Sequence, residues 1–247
     1  MQRHRYLMPR LYVDAPLAAG ARMTLPEAAA HHAVRALRLR PDEAVVLFNG
    51  RGGEYAARIA GIGKTGVAIE IGAFSATERE SPLVVTLVQG LSSGDRMDLT
   101  VQKSVELGVH AIQPVAAEKS VVRLSGERTA ARRAHWQRIA IAACEQCGRN
   151  RVPEILPPLP LARYAAPAGA LKLVLAPDAL VGLKQALGKS APAIVLAVGP
   201  EAGFSEAEER LLVAAGFQPV SLGPRILRTE TAAPAALAAL NALAGDF

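Results

Sequence analysis

Ile194-Val195-Leu196-Ala197-Val198-Gly199-Pro200-Glu201-Ala202-Gly203-Phe204-Ser205 is the stretch on which the fold turns. Its short, unbroken apolar run reads as a strand buried on both faces, the kind found in parallel sheets. Gly199-Pro200 ends that strand abruptly. Ser205 then caps a helix whose first turn carries Glu206, Glu208 and Glu209, where the helix dipole favours carboxylates. Strand, turn and capped helix make one βα unit, and the pattern recurs on both sides of it. Leu83–Leu91, Ala111–Ala116, Leu171–Ala176 and Val220–Leu222 read as strands. Arg96–Leu107, Arg128–Cys147 and Glu230–Leu243 read as helices, the first two closed by Gly108 and Gly148. Residues 82–247 are therefore expected to form an α/β domain with an open parallel sheet, which binds ligands beyond the carboxyl ends of its strands.

Upstream, a polar stretch over Phe74–Pro82 reads as a linker. Residues 1–73 before it are β-rich, with short runs at Ala44–Phe48, Glu54–Ile59 and Gly66–Ile71 separated by glycine-bearing turns. One helix is expected at Pro26–Leu39, with Pro26 in its first turn. A small β-barrel is the natural architecture for this part.

The chain has 247 residues, 51% of them apolar, enough for one large or two smaller cores. The longest apolar runs, Ala191–Val198 and Ala232–Ala244, fall short of the roughly 18 residues a membrane span needs. No apolar run follows the basic start, so no signal peptide is read and a cytoplasmic protein is expected. The net charge of +6 is unevenly spread: residues 1–40 carry seven Arg against Asp14 and Glu27, and residues 119–151 carry seven Arg and one Lys against Glu127 and Glu145. Two basic segments on an otherwise acidic chain are the footprint of a nucleic-acid surface. Cys144 and Cys147 stand one helical turn apart with no second pair, so they read as helix-packing residues rather than half a zinc site.

Three loops leave the carboxyl ends of the last strands: Ala176-Pro177-Asp178, Gly199–Phe204, and Gly223-Pro224-Arg225-Ile226-Leu227-Arg228-Thr229-Glu230-Thr231-Ala232. Each pairs sharp bends with outward-facing backbone N–H and C=O groups, which can read a purine without side chains. Gly61-Ile62-Gly63-Lys64-Thr65 mimics the end of a P-loop, but the required earlier glycine is Arg58 and a strand follows where a helix is needed. Neither a dinucleotide-binding glycine fingerprint nor a metal-ligand spacing is present.

Gly199-Pro-Glu-Ala-Gly-Phe-Ser205 together with Leu222-Gly-Pro-Arg-Ile-Leu-Arg-Thr-Glu-Thr-Ala232 resembles the RsmE family of the SPOUT superfamily, the 16S rRNA uridine-N3 methyltransferases. Met8–Val13, His31–Arg38, Arg96-Met-Asp98, Gln102–Val109 and Glu145–Arg149 are similar to further family segments, in the same order. The resemblance implies a PUA-like RNA-binding β-barrel over 1–73 and, over 82–247, a SPOUT methyltransferase domain with a trefoil knot. It implies S-adenosyl-L-methionine as cofactor, 16S rRNA of the small ribosomal subunit as substrate, a homodimer, and no metal. The cofactor residues carried over are Leu175, Val198, Gly199, Pro200, Glu201, Gly203, Leu222, Gly223, Arg225, Ile226, Leu227, Arg228, Thr231 and Ala232. The family usually has glycine where Ala202 stands, which matters if that position needs φ > 0.

Methylating N3 of uridine requires that the N3 proton leave and that charge on the O2/O4 edge be stabilised. Arg228 is the expected stabiliser; Glu201 and Glu230 are the expected base or orienting group, unless Arg228 and Glu230 only brace the loop as an ion pair. Arg10, His32, Arg35, Arg38, Arg123, Arg132, Arg133 and Arg149 are the expected RNA contacts, with His32, Arg35 and Arg38 on one helix face. A non-catalytic assembly factor on the same fold, or a related methyltransferase acting on another nucleoside, are the competing readings.

Overall fold

The computed structural model describes residues 8–120, 126–187 and 193–247. The chain divides into two compact units, one of Met1–Glu80 with Cys144–Val152, the other of Ser81–Ala143 with Pro153–Phe247.

The first unit is built on a five-stranded sheet of β1 (Arg10–Tyr12), β2 (Arg22–Thr24), β3 (Ala44–Phe48), β4 (Glu54–Gly63) and β5 (Gly66–Ser75), in the order β1-β3-β4-β5-β2. The expected barrel is thus a ladder with β1 and β2 at its edges. Only the β1–β3 pair is parallel. Alternation does the folding work: Val67, Ile69 and Ile71 of β5 and Ala57 and Ile59 of β4 point inward and join Leu11, Val45 and Leu47 in one apolar core. Gly63 and Gly66 close the β4–β5 hairpin around Lys64-Thr65, so the P-loop look-alike is a hairpin tip.

The expected helix at Pro26–Leu39 is shorter and of two kinds. An α-helical turn, α1 (Glu27–His31), runs into a π-helical turn at His32–Ala36, where the Leu37 N–H reaches back to the His32 carbonyl at 3.0 Å. The wider turn buries Ala29 and Ala33 and leaves Arg38 beyond the helix with φ of 56°. Three-residue spacing therefore does not place His32, Arg35 and Arg38 on one helix face.

The second unit is a seven-stranded sheet of β6 (Val84–Gly90), β7 (Ala111–Ala116), β8 (Glu154–Ile155), β9 (Leu159–Pro160), β10 (Leu171–Leu175), β11 (Ala193–Val198) and β12 (Gln218–Val220). Its order is β12-β10-β11-β6-β7-β8, with β9 further along β7, and every pair is parallel. β6 and β11 lie at the centre, which is why their sequences are nearly unbroken apolar runs. The helices are α2 (Gly94–Glu106), α3 (Gly126–Cys147), α4 (Leu183–Leu187), α5 (Glu206–Ala214) and α6 (Thr229–Ala244). Asn241 of α6 donates to the Leu107 carbonyl at 2.8 Å and accepts from Ser81 at 2.7 Å, tying the last helix to the end of α2. Trp136, Ala140, Ala143 and Cys144 form the buried stripe of α3. Burial pushes the Cys144 thiol up to about 12, so it behaves as a packing group. Among the described residues no helix is long and apolar enough to cross a membrane, and no cluster of potential metal ligands occurs.

Candidate functional site

The strand order puts β12, β10 and β11 side by side, so the three loops singled out in the sequence emerge as neighbours at one sheet edge. Together they line a single open cleft with a mostly apolar surface. Its walls are Leu175, Ala176 and Pro177 after β10, Val198 to Glu201 with Gly203 after β11, and Val220, Leu222, Gly223, Arg225, Ile226, Leu227, Thr229 and Ala232 after β12. Of the expected cofactor residues, Arg228 and Thr231 lie outside this lining. Both are exposed where α6 begins. Ala176, Pro177, Val220 and Thr229 were not among the expected residues; the first two were visible as a proline turn directly after a strand.

Close backbone approach holds the cleft together. Gly90, the last residue of β6, lies so near the Gly199-Pro200 bend that a Cβ there would sit 2.5 Å from the Pro200 nitrogen and 2.8 Å from the Gly199 carbonyl carbon. The Pro200 carbonyl accepts from the Gly203 N–H at 2.9 Å, closing a tight turn in which Gly203 takes φ of 70°. The left-handed position is therefore Gly203 and not Ala202, and alanine at 202 costs the turn nothing in backbone strain. Ser205 and Glu208 form a reciprocal capping box at the start of α5, so the turn runs into a rigid helix. On the far wall, buried Thr229 donates to the Gly199 carbonyl at 2.7 Å and accepts from Gln89 at 3.0 Å. This chain of side chains fastens α6 to the β11 loop.

The charged groups at this edge have distinct surroundings. Glu201 lines the cleft, and its Oε1 accepts from the Ser93 N–H at 2.9 Å, the Ser93 hydroxyl at 2.8 Å and Arg96 Nη1 at 3.1 Å. Burial alone would raise its pKa, but the hydrogen bonds from Ser93, its own N–H and Arg96 outweigh that and lower it below the usual carboxylate value. A carboxylate so stabilised is a poor proton acceptor, which fits the orienting role for Glu201 and not the basic one. Glu230 has Oε1 3.9 Å from Arg96 Nε, and its buried Oε2 has no hydrogen-bond partner. The expected bracing pair of Arg228 with Glu230 does not form; Arg96 stands opposite Glu230 instead. Arg228 is exposed, with no ion pair among the described residues.

The expected RNA contacts divide. Arg35 and Arg38 are exposed, and His32 is partly exposed with Nε2 3.6 Å from Glu145. Arg132 is half-buried. Arg133 is half-buried and donates to the Ile155 carbonyl at 2.7 Å. Arg123 lies outside the described residues. Arg10 and Arg149 are corrected: Arg10 is half-buried, Arg149 is buried, and both are structural cations. Arg10 pairs with Glu54 at 2.7 Å, donates to Asn150 at 2.5 Å and stacks over the Phe48 ring. Arg149, 4% exposed, pairs with Glu80 at 2.5 Å. A guanidinium already desolvated and paired is not offered to a phosphate.

Comparison with known proteins agrees with this geometry. Residues 79–241 match a family described as an RNA methyltransferase domain, and residues 25–72 one described as an RNA methyltransferase PUA domain. The chain is 34% identical over 97% of its length, and 98% of the relative's, to ribosomal RNA small subunit methyltransferase E of Buchnera aphidicola. It is 46% identical, with a TM-score of 0.90 over 97% of this chain and 99% of the other, to the structure of ribosomal RNA small subunit methyltransferase E from Neisseria gonorrhoeae bound to S-adenosyl methionine. A Legionella pneumophila structure described as a putative methyltransferase in complex with the same cofactor is 39% identical, with a TM-score of 0.92 over 97% and 99% of the two chains.

Proposed function

The chain belongs to the RsmE family of small-subunit ribosomal RNA methyltransferases, and on that footing we propose that it methylates N3 of one uridine in 16S rRNA, using S-adenosylmethionine. The observation that carries this reading is the cleft itself, in which three loops of one sheet edge converge on a mostly apolar surface. Leu175, Val198, Leu222, Ile226 and Leu227 offer apolar faces suited to adenine, and the bends at Gly199–Gly203 and Leu222–Gly223 bring main-chain N–H and C=O groups alongside. A Cβ placed on Gly203 or Gly223, both in the lining, would meet nothing within 4 Å, so these turns leave open space on the cleft side that fits the cofactor. Bound there, S-adenosylmethionine supplies an activated methyl group.

The protein's own groups then act on the nucleobase. Arg228, exposed and without an ion pair among the described residues, reaches the O2/O4 edge and stabilises the negative charge that develops as N3 loses its proton. Glu230, with one carboxylate oxygen unpartnered, is the proton acceptor, and Glu201 fixes the turn beneath the cofactor. Thr231 and Arg228, exposed where α6 begins, are kept as cofactor contacts from their sequence positions. Residues 1–73 serve as the PUA-like RNA-binding domain and 82–247 as the SPOUT methyltransferase domain, its cofactor loops threaded as a trefoil knot. The protein works in the cytoplasm as a homodimer. Leu180, 99% exposed, is an apolar side chain that a second copy would cover.

Arg35, Arg38, Arg132 and Arg133, with His32, remain the phosphate-tracking groups, and Arg123 is kept with them from its sequence position. Because each phosphate contact releases counterions, rRNA affinity should fall steeply between low and moderate salt; a flat salt response would speak against such a surface.

The test is methyl transfer to small subunits from a strain lacking the modification, compared with protein-free rRNA, followed by mass spectrometry of the nucleosides. Label in 3-methyluridine at a single position supports the reading. Label in another nucleoside, or none, overturns it.

A further inference from the structure

We propose that Arg96 is a positioning residue that divides the labour between the two carboxylates of the site; this rests on the function proposed above. Arg96 stands in the first turn of α2, at the carboxyl end of β6, outside the cleft lining. It faces two acidic side chains, Glu201 of the β11–α5 turn with Nη1 at 3.1 Å and Glu230 of the first turn of α6 with Nε at 3.9 Å. Two nitrogens of one planar group thus face separate carboxylates, a task suited to guanidinium and not to a point charge such as ammonium.

The two carboxylates stand in unequal surroundings. Glu201 takes three donors on one oxygen, two of them from Ser93. With or without Arg96, that oxygen keeps the Ser93 backbone N–H. Glu230 has no comparable support: Arg96 is the only cation paired with it among the described residues, and its Oε2 is sealed from solvent without a hydrogen-bond partner. A buried carboxylate oxygen without a donor is costly to keep unless it is used. Its neighbour in sequence, Thr229, is anchored to Gly199, so the backbone carrying Glu230 is fixed relative to the cofactor turn. Arg96 supplies the remaining constraint, the direction of the Glu230 side chain.

The prediction separates cofactor binding from turnover. In Arg96→Lys, the ammonium keeps the contact with Glu201 but cannot span to Glu230. The cofactor Kd, measured by calorimetry without rRNA, should stay within about twofold of wild type, while kcat falls by about tenfold or more. In Arg96→Met both contacts go, so Kd should weaken and kcat should fall further. Thermal unfolding of both variants establishes that they fold. The proposal is overturned if Arg96→Lys turns over like wild type, or if the whole effect of either variant lies in cofactor affinity. If the wild-type protein binds cofactor but methylates no rRNA, it is the underlying functional reading that fails.

Discussion

The first unit and the sheet edge of the second both gather arginines and glutamates, yet they use them in opposite ways. In the first unit one cluster of charges is spent on itself. Arg10 and Arg79 both bind Glu54, Arg149 binds Glu80, and Asn150 takes Arg10 on one side and the Thr77 carbonyl at 2.6 Å on the other. This network stitches the Cys144–Val152 segment to β1, β4 and the polar stretch before residue 81. At the sheet edge, Arg225 and Arg228 are exposed without ion pairs among the described residues, and Glu230 keeps a buried oxygen unpartnered. Largely saturated polar groups specify a fold, with Arg10 Nε the one buried side-chain atom of this network without a hydrogen bond among the described residues; exposed, unpaired ones beside a cleft are available to a ligand.

That contrast can be broken by substitution, and the largest effect should fall on the saturated side. Replacing Arg10 by Met leaves Glu54 with Arg79 alone and takes the donor from Asn150 Oδ1, and should cost about 3 kcal/mol of stability, since two partly buried polar groups each lose a charged partner. Chemical denaturation measures this, and cofactor affinity should not change. Replacing Arg228 by Ala should do the reverse, leaving the unfolding midpoint in place while lowering kcat by about 100-fold. Steady-state kinetics on small subunits, with a melting curve alongside, checks both halves. Gly90→Ala should act on the cleft through packing: the added methyl forces the Gly199-Pro200 bend outward, which costs about 1–3 kcal/mol and should weaken cofactor binding at least several-fold. The smallest effect is acid sensitivity. Burial pushes the Glu54 carboxyl upward, but hydrogen bonds from Arg79 and Arg10 prevail and hold it at about 2, against an ordinary 4.5. Its contribution is therefore complete above the ordinary value and lost as pH falls from there toward about 2. The stability gap between wild type and Glu54→Gln should narrow on acidification across that window; a constant gap would show that Glu54 is not the group that titrates.

How far the sequence foretold this depends on where each feature's information sits. The central strands of the parallel sheet were legible because double-sided burial writes itself as short apolar runs, as at Ile194–Val198, whereas the edge strand β12 runs over Gln218–Val220 and not the expected Val220–Leu222. The cleft was legible because its three loops each begin where such a run stops at a proline. β8 and β9, two residues each, exist only through pairing with β7 and leave no local signature. The π-helical turn at His32–Ala36 was hidden because an alanine-rich, arginine-bearing stretch satisfies α-helical spacing equally well. Arg10 and Arg149 were misread because net charge counts cations without revealing which are buried against a carboxylate. Ser93 and Arg96 were missed as site residues since their partner Glu201 is more than a hundred positions away. The doubt over Ala202 was a question of one dihedral angle, which only the backbone answers.

Hydrogen exchange, read peptide by peptide with and without S-adenosylmethionine, tests the central claim most directly. Protection should appear over 175–178, 199–203 and 222–232 together, and exchange across residues 8–73 should be unaltered. Protection confined to any other part of the chain, or none at saturating cofactor, would contradict the assignment of these three loops.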